Sequence, residues 1–206
     1  MQQPGGHSVR KQLLAAVLLC ALIALGGCSS KNKNSIAPLS LNNDQQSIVR
    51  LLNPFDDIYT YTYTMREDYA AMTVWLERYD QGKLAEKMAE VEFLRADTDP
   101  KEGQIALITR YTPALQWVVS VADKTNASSN RSAILPDPGH YPLAVPVPAE
   151  LKFALDEDVT ILYILYSKDD TPPTFEVLKG GTDLLTQYPD AYLLKCRFSA
   201  PVQGEK

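Results

Sequence analysis

The chain has 206 residues and a formal net charge of −5 at pH 7, with 22% charged and 9% aromatic residues. That balance lacks the basic stripe a nucleic-acid surface needs, and the length fits one domain with a short extension. Cysteine and histidine are sparse, at three and two residues, which argues against a disulfide framework and against zinc sites of the common types.

Arg10 and Lys11 precede an apolar run from Leu13 to Leu25, and Gly26 and Gly27 follow as a small-residue cleavage site. This is the pattern of a secretory signal. The run is shorter than the ~18 or more apolar residues a membrane span requires, which leaves a permanent transmembrane helix as the alternative. Leu25-Gly26-Gly27-Cys28 resembles the lipobox of bacterial lipoproteins. The resemblance implies a diacylglycerol thioether on Cys28, cleavage after Gly27 and often acylation of the new amino group. It also implies a place at the cell membrane on its extracytoplasmic face, or at an outer membrane where the cell has one. One acyl chain anchors only marginally, whereas two or more anchor stably at ~0.8 kcal/mol per buried CH₂. The competing reading is an ordinary signal peptide that leaves a cysteine at the mature terminus.

Loss of residues 1–27 removes Arg10 and Lys11 and no acidic residue, so the net charge moves from −5 to −7. Nothing polybasic then helps at an anionic bilayer, and the lipid must do the anchoring. Cys20 and His7 leave with the signal. With Cys28 taken by lipid, Cys196 is the remaining thiol and His140 the remaining imidazole.

Residues 28–53 are expected to be the lipidated N-terminus and a flexible polar tether, with a single domain over 54–206. Within the tether, Ser47–Leu52 reads as a helical turn or an early strand, ended by Asn53-Pro54. Ile58–Thr64 alternates with period 2, which puts Tyr59, Tyr61 and Tyr63 on one face and threonines on the other. Tyr69–Tyr79 is a second strand with Met72, Val74 and Leu76 on one face and Trp75, Glu77 and Tyr79 on the other. Asp80-Gln81-Gly82 suggests a type I turn followed by a left-handed glycine, in a three- or four-residue hairpin loop. Leu84–Phe93 is ambiguous: Leu84, Met88 and Val91 have helical spacing, but the turn before them favours a strand. Val74–Leu84 is similar to a W-x-E-x-Y-x-x-G-K-L strand-turn-strand pattern of uncharacterised β-rich lipoproteins of Gram-positive bacteria. That resemblance implies the hairpin and no chemistry.

Strands are expected over Gln104–Tyr111, Leu115–Val121, Glu150–Leu155, Val159–Tyr166 and Ala191–Phe198, with Val159–Tyr166 central and buried on both faces. Asp123–Pro148, rich in Asn, Ser and Pro, reads as one long connection. Its Asn126-Ala127-Ser128 and Asn130-Arg131-Ser132 fit the N-glycosylation pattern, set aside by the bacterial address. Thr182–Thr186 reads as a short capped helix. The sum is a mainly β protein, an antiparallel β-sandwich of the immunoglobulin-like or a similar Greek-key kind with one or two short helices.

Chemistry is sparse. There is no G-x-S-x-G elbow, P-loop or G-x-G-x-x-G, and His140 lies in a proline-rich stretch without an evident nucleophile. Glu77 with Asp97 or Asp99 could form a carboxylate pair, and Asp56-Asp57 and Asp169-Asp170 lack the calcium-loop order. No cofactor and no metal is expected. The aromatic set Tyr59, Tyr61, Tyr63, Trp75 and Tyr79 could form a binding face if exposed, or core if not. Cys196 reads as a buried hydrophobe. The expectation is a non-enzymatic, lipid-anchored module that binds a protein or cell-wall partner. The alternative is a surface hydrolase acting on an envelope polymer.

Overall fold

The structure, a computed structural model, describes residues 34–52, 57–96, 99–111, 114–135, 142–167 and 173–201. In chain order the elements are β1 (Asn34–Pro38), α1 (Asn43–Leu52), β2 (Asp57–Thr64), β3 (Ala71–Asp80), β4 (Lys83–Leu94), β5 (Glu102–Arg110) and β6 (Gln116–Ala122). There follow β7 (Ala127–Arg131), β8 (Pro142–Pro146), β9 (Leu151–Phe153), β10 (Val159–Tyr166), α2 (Phe175–Leu178), a 3₁₀ turn (Thr182–Gln187) and β11 (Asp190–Ser199). All strand pairs are antiparallel. They form a six-stranded sheet of order β7-β6-β5-β2-β1-β9 and a five-stranded sheet of order β4-β3-β11-β10-β8. The molecule is a β-sandwich.

The period-2 patterns set which face is buried. In β2, Tyr61 and Tyr63 are buried while the threonines between them are half-exposed. In β6, Trp117, Val119 and Val121 turn inward, and in β11 Tyr192, Leu194, Cys196 and Phe198 do so. The two inner faces meet through rings. Phe198 lies 5.2 Å from Tyr63, 5.3 Å from Tyr69 and 5.1 Å from Phe153, and Trp117 lies 5.1 Å from Tyr192. These are edge-to-face, tilted and stacked separations that add to simple area burial. β10 is buried on both faces, as its apolar run predicts, because α2 and the 3₁₀ turn cover the outer face of its sheet. Phe175 packs edge-on at 5.6 Å from Tyr163, and Leu178 and Leu185 are buried beside it.

Three local expectations change, and one segment left open between helix and strand resolves as the strand its preceding turn favours. First, residues 34–52 of the expected tether are folded. Ile36 is fully buried in β1. Asn34 Oδ1 accepts from the backbone N–H groups of Arg66 and Glu67 at 2.9 and 3.2 Å, and its Nδ2 donates to Glu67 Oε2 at 2.8 Å. Asn34 is polar because it ties a loop, whereas α1 is polar because Asn43 to Ser47 face solvent. α1 begins at a reciprocal cap: Gln45 N–H donates to Asn42 Oδ1 at 2.9 Å, and Asn42 N–H to Gln45 Oε1 at 3.0 Å. Residues 29–33 and Asn53-Pro54 lie outside the described residues.

Second, Leu84–Phe93 is strand, and its helical spacing is a bulge signature. Val74 pairs with Val91 and Leu76 with Met88, so β4 uses three residues against two. Ala89, with φ 51°, lies within that extra step. Met88 and Val91 thereby stay on one face at a spacing of three. Third, the Asp123–Pro148 connection contains β7 and β8. Both are edge strands, where one side of the backbone needs no ladder partner, so polar residues and prolines are tolerated. Fourth, α2 was not foreseen, and the 3₁₀ turn over Thr182–Gln187 starts at Gly181 with no side-chain cap.

The β3–β4 hairpin is tighter than expected. Asp80 pairs with Lys83, and both intervening residues are left-handed, Gln81 at φ 47° and Gly82 at φ 80°, which makes a two-residue type I′ loop. A Cβ on Gly82 would stand 2.6 Å from Thr186 Cγ2 and 2.9 Å from the Thr186 nitrogen. Gly82→Ala is therefore expected to lower stability by about 1–3 kcal/mol, whereas Gln81→Gly changes it little. Urea unfolding of the two variants checks this, and equal behaviour would contradict it.

Candidate functional site

One hollow in the sandwich follows from the shortness of β9. Its three residues pair only with Asn34, Ser35 and Ile36, so the second half of β1 has no outer neighbour. Pro38 ends β1 without an N–H to offer, and Leu39 N–H continues the chain by donating to Thr60 O at 2.9 Å. Between this half of β1 and Pro146 of β8 lies a cavity of about 350 Å³. Its apolar walls include Leu39, Leu41, Ile58 and the ring of Tyr59; Ser40, Gln46 and Thr60 supply polar groups, and among the described residues no lining residue is charged. The size falls within the range of small-ligand pockets.

Two predicted site residues belong to this hollow. Tyr59 is half-buried at its wall. Burial and the neighbouring Asp57 carboxylate push its phenol up to about 12. Tyr61 is 1% exposed, and its hydroxyl has no hydrogen-bond partner. Burial, and then Tyr59, raise its pKa further. Both are neutral donors and acceptors at physiological pH. The site suits an uncharged group: a charge would be desolvated against described walls that hold no counter-charge.

The rest of the candidate aromatic face does not form; these rings take the other reading the sequence left open and are buried. Tyr63 is buried in the core, paired across the ladder with Gly103. Trp75 and Tyr79 are buried in the other sheet. β2 pairs with β1 and β5, and β3 with β4 and β11, so neighbours in sequence are not neighbours in the sheet. On the outer face of β3, Trp75 Nε1 donates to Glu77 Oε1 at 2.9 Å and Tyr79 OH donates to Glu77 Oε2 at 2.8 Å. Lys195 Nζ stands 2.7 Å from the same Oε2, and Lys87 Nζ lies 4.4 Å from the Trp75 ring centre. Burial works to raise the Glu77 carboxyl, but the hydrogen bonds from Lys195, Trp75 and Tyr79 outweigh it, and the net shift is downward. A carboxylate so engaged is a structural anion and not an acid–base pair with Asp99.

Cys196 is fully buried, and burial, with the nearby Asp158 charge, pushes its thiol up to about 12. Cys28, Asp56, Asp97, His140 and Asp169-Asp170 lie outside the described residues. Among the described residues no group of three or more His, Cys, Asp or Glu could hold a metal ion, and no helix is long and apolar enough to cross a membrane. Pro38, Gln46 and Pro146 were missed as site residues. Their one sequence signal is a proline at the end of an edge strand, which marks unpaired backbone but not a hollow.

A family model described as the YgaN domain matches residues 26–198. No curated protein and no solved structure matches the chain.

Proposed function

The chain belongs to the YgaN domain family, and we propose that it is a lipid-anchored binding module on the extracytoplasmic side of a bacterial cell envelope. The observation that carries this reading is Leu25-Gly26-Gly27-Cys28, placed directly after Arg10, Lys11 and the apolar run Leu13–Leu25. The sandwich offers a hollow whose described walls are neutral, which is equipment for holding an uncharged ligand. Glu77, the carboxylate weighed for hydrolysis, is bound by three donors, which favours binding over catalysis.

Only residues 29–33 lie between Cys28 and β1. At 3.3–3.6 Å per residue the six steps from Cys28 to Asn34 reach at most about 22 Å, so the acylated cysteine would hold the Asn34 end of the sandwich close to the bilayer. The hollow opens toward the other end of β1. The test is Cys28→Ser in the native host. The variant is expected to leave the membrane fraction and to lose metabolic labelling by fatty acid. Continued membrane association together with labelling would overturn the anchor.

A further inference from the structure

The hollow beside β1 is bordered by two strand edges, and a proline sits on each. Leu39 N–H donates to Thr60 O, so Leu39 turns its backbone groups toward β2. Successive residues of a strand turn theirs to opposite sides. Pro38 and Ser40 therefore turn theirs away from β2, to the side where β9 has already stopped. On the facing edge, Val147 N–H donates to Ile161 O at 3.0 Å, so Pro146 turns its backbone away from β10. β8 has β10 as its one strand neighbour in the sheet. A proline carries a carbonyl oxygen but no N–H. Where the edges of β1 and β8 border the hollow, Pro38 and Pro146 each offer an acceptor and no donor. Ser40 and Thr60 add hydroxyls, and Leu39, Ile58 and Tyr59 add apolar surface.

These walls disfavour three kinds of occupant. An extended peptide adds to a sheet edge through alternating donors and acceptors, and Pro38 and Pro146 break that ladder on both edges. An ion would meet no counter-charge, since among the described lining residues none is charged. A wholly apolar ligand would cover the carbonyl and hydroxyl oxygens without pairing them. A neutral sugar fits on each count. Its hydroxyls donate to the outward carbonyl oxygens, and the C–H face of its ring packs on Leu39, Ile58 and Tyr59. The volume of about 350 Å³ stands at the low end for small-ligand sites and suits a short saccharide. We propose that the hollow between β1 and β8 binds a neutral saccharide through the Pro38 and Pro146 carbonyls and the Thr60 hydroxyl. The inference rests on the binding-module reading given above and names the ligand chemistry of that same site.

The test is amide NMR of the full chain in a detergent without a sugar headgroup. The chain is titrated with di-N-acetylchitobiose, with cellobiose and with an N-acetylated tetra-alanine amide. Saturable shifts of the Leu39, Ser40 and Thr60 amides with either disaccharide, and none with the peptide, are expected. The disaccharide that saturates at the lower concentration then separates an N-acetylated sugar from a plain hexose as the source. Thr60→Val keeps the strand and the volume but removes a hydroxyl, and should weaken binding about fivefold. Tyr59→Leu keeps an apolar wall without the ring and should weaken it at least as far. Equal or larger shifts with the peptide would overturn the saccharide while leaving a binding module. No saturable shift with either sugar, or unchanged affinity in both variants, would overturn it as well. The titration needs no acyl chain, so its failure is distinct from failure of the Cys28→Ser test.

Discussion

Glu77→Gln is expected to lower the stability of the folded domain by about 3–5 kcal/mol, because it strands a buried Lys195 ammonium without its counter-charge. The Glu77 and Lys195 side chains are only 10% and 17% exposed, so solvent screens the pair little. Gln retains an acceptor for Trp75 Nε1, and the loss therefore reports the charge rather than the packing. Glu77→Leu with Lys195→Met should recover much of it, since matched apolar replacement of a buried pair is often neutral. Urea midpoints at constant slope measure both. A loss below about 1 kcal/mol for Glu77→Gln would mean that water reaches Lys195. The same pair gives a pH signature. The folded value of Glu77 is lowered, so its contribution is fully present above the unfolded glutamate value of about 4.3 and is lost as pH falls through the lower folded value. Stability of the parent chain should fall on acidification below about pH 4.3 more steeply than that of Glu77→Gln; parallel curves would contradict it.

Phe198→Ala is expected to cost about 3–5 kcal/mol. Phe198 is fully buried near the end of β11 and touches Tyr63, Tyr69 and Phe153. Tyr63 and Phe153 belong to the opposite sheet, so one ring joins β2 and β9 to β11. Its removal leaves a hollow that three rigid aromatics cannot collapse to fill. Phe198→Leu, which keeps most of the volume, should cost clearly less. If the two variants unfold at the same urea concentration, the contacts of Phe198 are not what holds the sheets at this end.

Most of the sandwich was legible because period 2 was strong where one face is buried. Tyr59–Tyr63, Met72–Leu76, Trp117–Val121 and Tyr192–Phe198 each put an apolar or aromatic residue at every second position, and each lies within a strand. Legibility failed where a strand needs little from its side chains. β1 carries one large apolar residue, Ile36; β7 is Ala-Ser-Ser-Asn-Arg; β8 begins and ends with proline. Edge position explains β7 and β8, and Asn34's loop contacts explain β1. β4 was ambiguous for a different reason, though the turn before it rightly favoured a strand: a bulge inserts one residue and turns a period of two into an apparent period of three. The candidate site was the least legible part. Tyr59 and Tyr61 were singled out for their rings, yet what makes a hollow beside them is the early end of β9, a property of pairing that no residue in the stretch announces. The aromatic face failed because sequence order does not give sheet order: β2 and β3 belong to different layers.

Every outer strand of this sandwich discourages further pairing in its own way. β9 stops after three residues, and β8 is bracketed by Pro142 and Pro146. β4 displays Lys83, Glu86, Lys87, Glu90 and Glu92, all exposed, and β7 is polar and tied across to β4 by Asn130 Nδ2 donating to Glu90 O at 2.7 Å. Such devices guard against edge-to-edge sheet growth. Their value is greatest for a protein confined to a surface, where neighbours share an orientation and meet in two dimensions at high local density. A chain held that way can crowd with its own copies and still remain a population of separate sandwiches.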